Sequence, residues 1–518
     1  MDPLIASLLR PEAYPHPTGA IRLLETHISW ILLTGDIAYK VKKPVRLGFV
    51  DFGTLERRRH FCQEELRLNQ RLAAELYLDL VEIHGPPERA RVGGAGRPIE
   101  VAVRMRQFDQ SGLLPRALAA GAVTGDHLEA FAERLAAFHA AAAVASPEGP
   151  YGRAEAVVAP ARANLEVLGR CDREAALAPL VAWTEAEAQR LQPVFADRLA
   201  RGRVREGHGD LHLGNLVLHQ GAVVGFDCLE FNPELRWIDV LSDVAFLAMD
   251  LRQRQEPLLA CRVLSRWLSA CGDYGALATW RWYGVYRALV RAKVLALRLA
   301  QLDGAPPAER EALADQLRSY LHLAHRISAS PGPGALVLMH GVSGSGKSHL
   351  ARALCQRHGW IHLRSDVERR RRFGGWGTPF DPVRQGDPYA PAVTAELYGV
   401  QLPAAAEAVL RAGLPVVVDA TFLTRERRRG FQALADRLGA RWLLLSCPVS
   451  LAVARERLAQ RRREGGDPSE ADGAVLLAQW QALEPPGADE QPHHLTVTGL
   501  EEAEEKLRAR WPDLPPAP

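Results

Sequence analysis

The run "EGHGDLHLGNLVLHQGAVVGFD", residues 206–227, sets a carboxylate at Asp210, an amide at Asn215 and a second carboxylate at Asp227. Phosphoryl transfer asks for such a set. A group must meet the attacking hydroxyl, oxygen ligands must hold magnesium on the phosphates, and a cation must fix the nucleotide. Asp210 falls in a loop after a short strand expected over 204–207. The segment "NLVLHQGAVVGFD" reads as a β-hairpin turning at Gln220-Gly221, with Asp227 ending its second strand. A hairpin returns on itself, so Asn215 and Asp227 are expected together, offering oxygens to a hard cation. Each residue alone would be a turn former or a strand end. Their joint spacing points to chemistry.

A second phosphate-handling pattern lies further along. "ALVLMHGVSGSGKSHLARAL" contains Gly341-x-x-x-x-Gly346-Lys347-Ser348, after an apolar strand and before a helix. Gly341, Ser343, Gly344, Ser345 and Gly346 form the candidate cradle, whose backbone N–H groups point inward around phosphates at a helix N-terminus. Lys347 would reach the β- and γ-phosphates, and the Ser348 hydroxyl would ligate magnesium. "GWIHLRSD" reads as a strand with Asp366 at its carboxyl end, and "LPVVVDATF" as another ending at Asp419. Ligands of open parallel sheets sit at those ends. Asp366 is a candidate base for a hydroxyl acceptor, or else the N-cap of the helix begun by "VERRRRF".

The elements that must hold these residues fall into two parts. "THISWILLTGDIAYKVKKPV" reads as two β runs joined by Thr-Gly-Asp, followed by a long helix, "ERRRHFCQEELRLNQRLAAEL", and further β runs, "LDLVEIHG" and "PIEVAVRMRQF". Helical patterns occupy Leu113 to about Ala200 and about Ile238 to Ile327. That is a small β lobe, about 1–110, and a larger helical lobe, about 111–330: an α+β, kinase-like outline. From Ala335 strands alternate with helices, four strands in all, which predicts an α/β domain with a parallel sheet over 331–518. "SASPGPGALVLMHG" marks the boundary, because Pro-Gly-Pro-Gly cannot continue a helix. "DGAPPAERE" is a lesser break, and the final "WPDLPPAP" reads as a tail.

"HGDLHLGNL" followed by "VVGFD" resembles the aminoglycoside phosphotransferase and choline kinase group of the protein-kinase-like fold. The resemblance implies Asp210 as catalytic base, Asn215 and Asp227 as magnesium ligands, and His208 as a structural residue of the loop. It also implies a strand lysine on the phosphates and a helix glutamate that orients it. Lys40 and Lys42 of "AYKVKKP" share a strand face, Lys40 being preferred. Glu65 is the matching glutamate, with Glu64 as its alternative. No G-x-G-x-x-G precedes the lysine, a departure from protein kinases. Glu230, Asp239 and Asp243 are read either as contacts for a cationic substrate or as helix caps.

Residues 335–515 resemble the P-loop kinase group that includes gluconate-kinase-like and polynucleotide-5′-kinase-like enzymes. There Asp419 would support magnesium through water. "CPVSLAVARERLAQRRREGG" would be a lid, with Arg457 and Arg461 on one helix face over the transferring phosphate. Together, with "AYKVKKPV", "LEFNPELRWIDVLSDVAFLAMDL" and "RSDVERRRRFG" in support, the parts resemble bacterial bifunctional proteins that fuse an aminoglycoside phosphotransferase-like domain to an ATP-binding domain. The implied cofactors are ATP and Mg2+, and the implied acceptors are small-molecule hydroxyls.

Bulk properties narrow the rest. A chain of 518 residues exceeds one ordinary core. A net charge of +3 gives no global attraction to nucleic acid or membrane. The seven cysteines are scattered with no CxxC pair, which predicts free thiols and a cytoplasmic setting. Neither a signal peptide nor an apolar run of about 18 residues is found. Four of the six lysines, Lys40, Lys42, Lys43 and Lys347, fall in candidate phosphate motifs. Two basic and aromatic runs, "RRRRFGGWGTPF" and "RERRRGF", carry the alternative that the C-terminal part works on nucleic-acid ends. A regulatory ATP sensor is the third reading.

Overall fold

The computed structural model describes residues 1–47, 50–171, 177–302, 306–329, 332, 334–374, 383–464 and 471–513. Parts of both proline-rich breaks, residues 375–380 of the first basic run and the last five residues lie outside the described residues. The chain forms two compact units. One comprises Met1–Arg134, Ala142–Ala156 and Leu199–Asp243; the other comprises Leu135–Ala141, Val157–Arg198 and Val244–Pro518.

The first unit is built on a six-stranded antiparallel sheet in the order Arg22–Glu25, Ser29–Leu33, Ile37–Lys42, Glu100–Arg106, Tyr77–His84, Arg91–Val92. Alternation along Ile37–Lys42 divides its side chains between two faces. Tyr39 and Val41 pack with Ile5, Leu8 and Tyr14 on one side. Ala38 lies on the other, with Cys62 and Ala73 of the Leu55–Ala73 helix, so Lys40 and Lys42 point the same way. Thr54 caps this helix by accepting the Arg57 N–H at 3.3 Å. Its buried stripe, Arg58, Cys62, Glu65, Leu68, Asn69 and Leu72, runs at helical spacing and contains a carboxylate and an amide among apolar neighbours. The expected hairpin pairs Leu216–His219 with Ala222–Gly225. Its turn residues have φ of 50° at Gln220 and 77° at Gly221, the left-handed pair that suits a two-residue hairpin.

The second unit contains a helical core, in which Phe246, Met249, Val285, Leu289, Leu317 and Tyr320 are buried together. It also contains a five-stranded parallel sheet in the order Ile361–Arg364, Val416–Asp419, Ala335–His340, Arg441–Ser446, His494–Thr496. Every residue of Ala335–His340 and of Val416–Asp419 is buried, as strands covered on both faces must be. The fifth strand, His494–Thr496, is not among the four that the sequence predicts. Three residues reading "HLT" carry no periodic signal, and only pairing with Leu444–Ser446 defines them. Nor do the compact units divide at residue 330. The Pro257–Cys271 helix and the Tyr274–Thr279 turn pack on the parallel sheet and its helix Leu402–Arg411, which draws the helices after Val244 into the second unit.

Candidate functional sites

The first site grows from the Ile37–Lys42 strand. The Lys40 ammonium sits 2.6 Å from Glu65 and 2.6 Å from Asp227. Burial disfavours its charge, but those two carboxylates override this and raise its pKa well above the ordinary lysine value. Burial pushes Glu65 up too, and Lys40 and Lys42 together hold it well below the usual carboxylate range. Glu64, the alternative partner, turns instead to Arg67 at 2.8 Å and Arg236 at 3.3 Å.

Lys42 does not share the position expected of a phosphate-binding lysine. Its side chain is 0% exposed and pairs with Glu65 at 2.7 Å and with Glu230. Glu230 is therefore bound within the protein rather than offered to a cationic substrate. Its carboxyl is raised by burial, against the pull of Lys42. Asp243 is likewise engaged: it accepts the N–H groups of His208 at 2.8 Å and Gly209 at 3.0 Å. Asp239 is near a helix start and accepts the Leu241 N–H at 3.0 Å. None of the three is left for a ligand in the manner the substrate reading requires.

The loop bearing Asp210 is held by its neighbours. His208 is buried and accepts the Asp210 N–H on Nδ1 at 3.3 Å, so Nε2 donates to the Phe226 carbonyl at 3.0 Å. Burial lowers its pKa, which keeps the ring neutral and structural. Asn215 donates Nδ2 to the Asp210 carbonyl at 2.9 Å and to its carboxylate at 3.1 Å. Asp227 lies two residues past the hairpin strand, not at its end, with φ of 64°. A non-glycine residue in that region must be held there. Its N–H donates to the Tyr77 hydroxyl at 3.2 Å, and the next N–H, of Cys228, donates to Asn69 at 2.8 Å.

Sequence reasoning missed Tyr77, Asn69 and Arg71. Arg71 donates to the Glu206 carbonyl at 2.8 Å, and Glu206 also binds Arg67 and Arg236. The available signal was helical spacing, since Glu65 and Asn69 are four apart on one stripe.

At the second site the glycine loop joins the Ala335–His340 strand to the Lys347–His358 helix. Gly344 has φ of 81°, and a Cβ there would fall 2.6 Å from the Ala454 carbonyl oxygen, so glycine is required. Ser343 N–H donates to Gln479 at 2.7 Å, and Lys347 lies back on the Val342 carbonyl at 3.5 Å. The Ser348 hydroxyl donates to Asp419 at 2.9 Å. Burial raises the Asp419 carboxyl, but His362, Lys347 and Arg364 outweigh it and hold it at about 2. His362, at 3.2 Å, is a partner the sequence did not suggest. Arg457 donates to the carbonyls of Gly344 at 3.3 Å and Ser345 at 3.2 Å, whereas Arg461 reaches the Ala471 carbonyl at 3.5 Å. Asp366 is neither the strand end nor the N-cap: it is the second residue of the Ser365–Arg371 helix, and Arg364 is the cap residue.

The basic runs are not free surfaces throughout. Arg428 is buried against Glu490 at 2.6 Å. Arg369 and Arg371 are buried as well, donating to the Pro388 carbonyl at 2.7 Å and the Ala270 carbonyl at 2.6 Å. Three arginines are thereby withdrawn from any strand of nucleic acid.

His340, just before the glycine loop, bonds Ser446 at 2.7 Å and is lowered to about 4 by burial, with Arg428 and His494 adding. The unfolded chain takes up this proton near pH 6.5 while the folded chain refuses it until about 4. Stability is therefore untouched above pH 6.5 and falls as pH drops from there to about 4, by roughly 2–3 kcal/mol. His340→Asn is expected to shrink the stability difference between pH 7 and pH 4.5 by about 2 kcal/mol in urea melts. An unchanged difference would assign the acid sensitivity to other groups.

Two family models match parts of the chain. Residues 49–283 match the model described as "Phosphotransferase enzyme family", and 336–486 match the "AAA domain" model. The chain is 31% identical over 464 residues to "Uncharacterized protein Rv2004c" of Mycobacterium tuberculosis (strain ATCC 25618 / H37Rv), covering 89% of this chain and 90% of that protein. "Uncharacterized protein Mb2027c" of Mycobacterium bovis matches equally, at 31% over 464 residues, with 89% and 90% covered. Among solved structures, a choline/ethanolamine kinase family protein from Mesorhizobium loti covers 62% of this chain and 98% of its own at 12% identity, TM-score 0.37. A gluconokinase from Sinorhizobium meliloti 1021 covers 36% and 93% at 23% identity, TM-score 0.24. Among the described residues no helix is long and apolar enough to cross a membrane. With a phosphotransferase-family domain followed by a P-loop domain on a parallel sheet, the chain belongs to the same family as the mycobacterial protein Rv2004c and is a kinase that performs ATP-dependent phosphoryl transfer.

Proposed function

We propose that the chain carries two separate ATP sites, in modules spanning about 1–330 and 331–518, each transferring the γ-phosphate to a hydroxyl of a small molecule in the cytoplasm. The observation that carries this reading is the Lys40 ammonium held 2.6 Å from both Glu65 and Asp227, beside a loop whose Asp210 is engaged by Asn215. Asp210 takes the proton of the acceptor hydroxyl as its oxygen bonds to the γ-phosphorus and the bond to the bridging oxygen breaks. Lys40, kept protonated by two carboxylates, pairs with the nucleotide phosphates. Asn215 commits its amide nitrogen to Asp210 and so keeps its oxygen as a ligand, and with Asp227 this donor set suits magnesium. When bound, that ion would neutralise charge on the phosphates.

At the second site the reading is supported by the Ser348–Asp419 bond of 2.9 Å, an all-oxygen pair beside Lys347. The loop of Gly341, Ser343, Gly344, Ser345 and Gly346 surrounds the phosphates, although the N–H groups of Gly341, Ser343 and Ser345 donate to Thr421, Gln479 and Val342 in this structure, and Lys347 and Arg457 bring positive charge to them. Arg461 lies on the same lid helix and acts with Arg457. Asp366 accepts the proton of a second hydroxyl acceptor.

The test uses the full chain with Asp210→Ala and Lys347→Ala made separately. ATP consumption is measured against sugars, aminoglycosides, nucleosides and oligonucleotide 5′-hydroxyls. Each acceptor should be lost with one substitution only. An acceptor lost with both, or turnover indifferent to both, would sink the two-site reading.

A further inference from the structure

Two stretches from different family matches meet inside the second unit. The Pro257–Cys271 helix and the Tyr274–Thr279 turn lie within or at the end of the phosphotransferase match, 49–283. The Ile361–Arg364 strand and the Ser365–Arg371 helix lie within the AAA match, 336–486. That strand is an edge of the parallel sheet, and an edge presents unpaired N–H groups. The Ser265 hydroxyl covers one of them, accepting the His362 N–H at 3.0 Å. The His362 ring bonds Asp419 at 3.2 Å, and Asp419 accepts the Ser348 hydroxyl at 2.9 Å. Contacts thus run without a break from the upstream helix to the serine of the glycine loop.

A second anchor lies nine residues further along, at Arg371. The last carbonyls of a helix lack intrahelical partners and carry partial negative charge. Arg371 satisfies two at the end of Pro257–Cys271, donating to Ala270 at 2.6 Å and Ser269 at 2.5 Å. Glu368 pairs with the same guanidinium at 2.9 Å and accepts the Tyr274 hydroxyl at 3.1 Å. The upstream helix stops at Gly272, φ 75°, where a Cβ would come within 2.5 Å of Arg371 Nε. Asp366 lies between the two anchors, on the same helix, two residues before Glu368 and five before Arg371.

We propose that Ser265, Tyr274 and Arg371 are positioning residues of the P-loop site, through which the upstream segment 257–279 sets the helix carrying Asp366. The P-loop half borrows one wall of its acceptor region from the preceding half, which is a physical reason for the two to share a chain. The inference rests on the reading of Asp366 as the second base.

The experiment uses full-length protein carrying Asp210→Asn, so that Lys347-dependent ATP turnover reports the second site. A base misplaced by about 1 Å loses up to about 10²-fold in rate. Arg371→Ala is expected to lower kcat at least about tenfold, and Tyr274→Phe about threefold, with the Kd of a fluorescent ATP analogue unchanged. Arg371→Lys, which can still reach one carbonyl, should recover part of the loss. Should Arg371→Ala lose ATP binding as well, the single-bond variants Ser265→Ala and Tyr274→Phe decide. Hydrogen exchange over 361–371 is read on both, and should quicken. Unchanged exchange and unchanged kcat in those two would overturn the inference, and unchanged exchange alone does so whether or not an acceptor is known. If Asp366→Asn leaves Lys347-dependent turnover intact, the reading of Asp366 fails instead, and exchange still reports the anchors.

Discussion

Asp210→Asn is expected to lower phosphoryl transfer at the first site by about 10³-fold, within the range for loss of a positioned general base. The amide is nearly isosteric and can still accept from Asn215, which donates to the side chain at 3.1 Å and to the carbonyl at 2.9 Å. The backbone of the loop is fixed independently, by Asp243 on the N–H groups of His208 and Gly209. Folding should therefore be unchanged, and the loss should fall on kcat rather than on KM for ATP. The measurement is made with Lys347→Ala also present, so that remaining turnover belongs to the first site. Activity above about a tenth of the Lys347→Ala protein would remove Asp210 from the chemistry.

Lys42→Met is expected to destabilise the first unit by about 3–5 kcal/mol at pH 7, a large share of ordinary domain stability. Lys42 is 0% exposed and lies between two carboxylates that are themselves 0% and 5% exposed, Glu65 and Glu230. Glu65 keeps Lys40 at 2.6 Å, but the only cation that Glu230 pairs with among the described residues is the one removed. A buried charge without its partner is the costly case. Two further outcomes distinguish this account from simple loss of packing. Adding Glu230→Leu should recover much of the stability, because it removes the stranded carboxylate. The single variant's deficit should also shrink at pH 5, since Glu230, already raised by burial, then protonates more readily. Denaturant unfolding of Lys42→Met within about 1 kcal/mol of the parent would refute the buried-network account.

Both candidate sites were legible in the sequence where their residues are close along the chain. Asp210, Asn215 and Asp227 are joined by a two-residue hairpin turn, and Gly341 to Ser348 by one loop, so local spacing already encodes their geometry. Legibility failed where a partner comes from far away. Nothing near Lys42 distinguishes it from Lys40, because both lie on one strand face; the difference is that Glu230, 188 residues on, closes over Lys42. The helix-cap reading of Asp366 failed because the Ser365–Arg371 helix begins two residues earlier than a cap at Asp366 would place it. The arginine runs read as basic surface, and burial of Arg369, Arg371 and Arg428 depends on which turns of their helices face the protein.

Composition, periodicity and motif spacing by themselves determined the class of each half, the parallel sheet of the second, and the candidate residues for handling phosphate. These follow from short-range rules, in which a period of two or 3.6 residues and a tight turn decide which side chains share a face. Tertiary structure alone decided which lysine lies beside Asp227, that Tyr77 and Asn69 hold the backbone of Asp227 and Cys228, and that helix Pro257–Cys271 covers the edge of the parallel sheet. Those are contacts between residues dozens to nearly two hundred positions apart, selected by burial and by the need of each buried polar group for a partner, which no local pattern records.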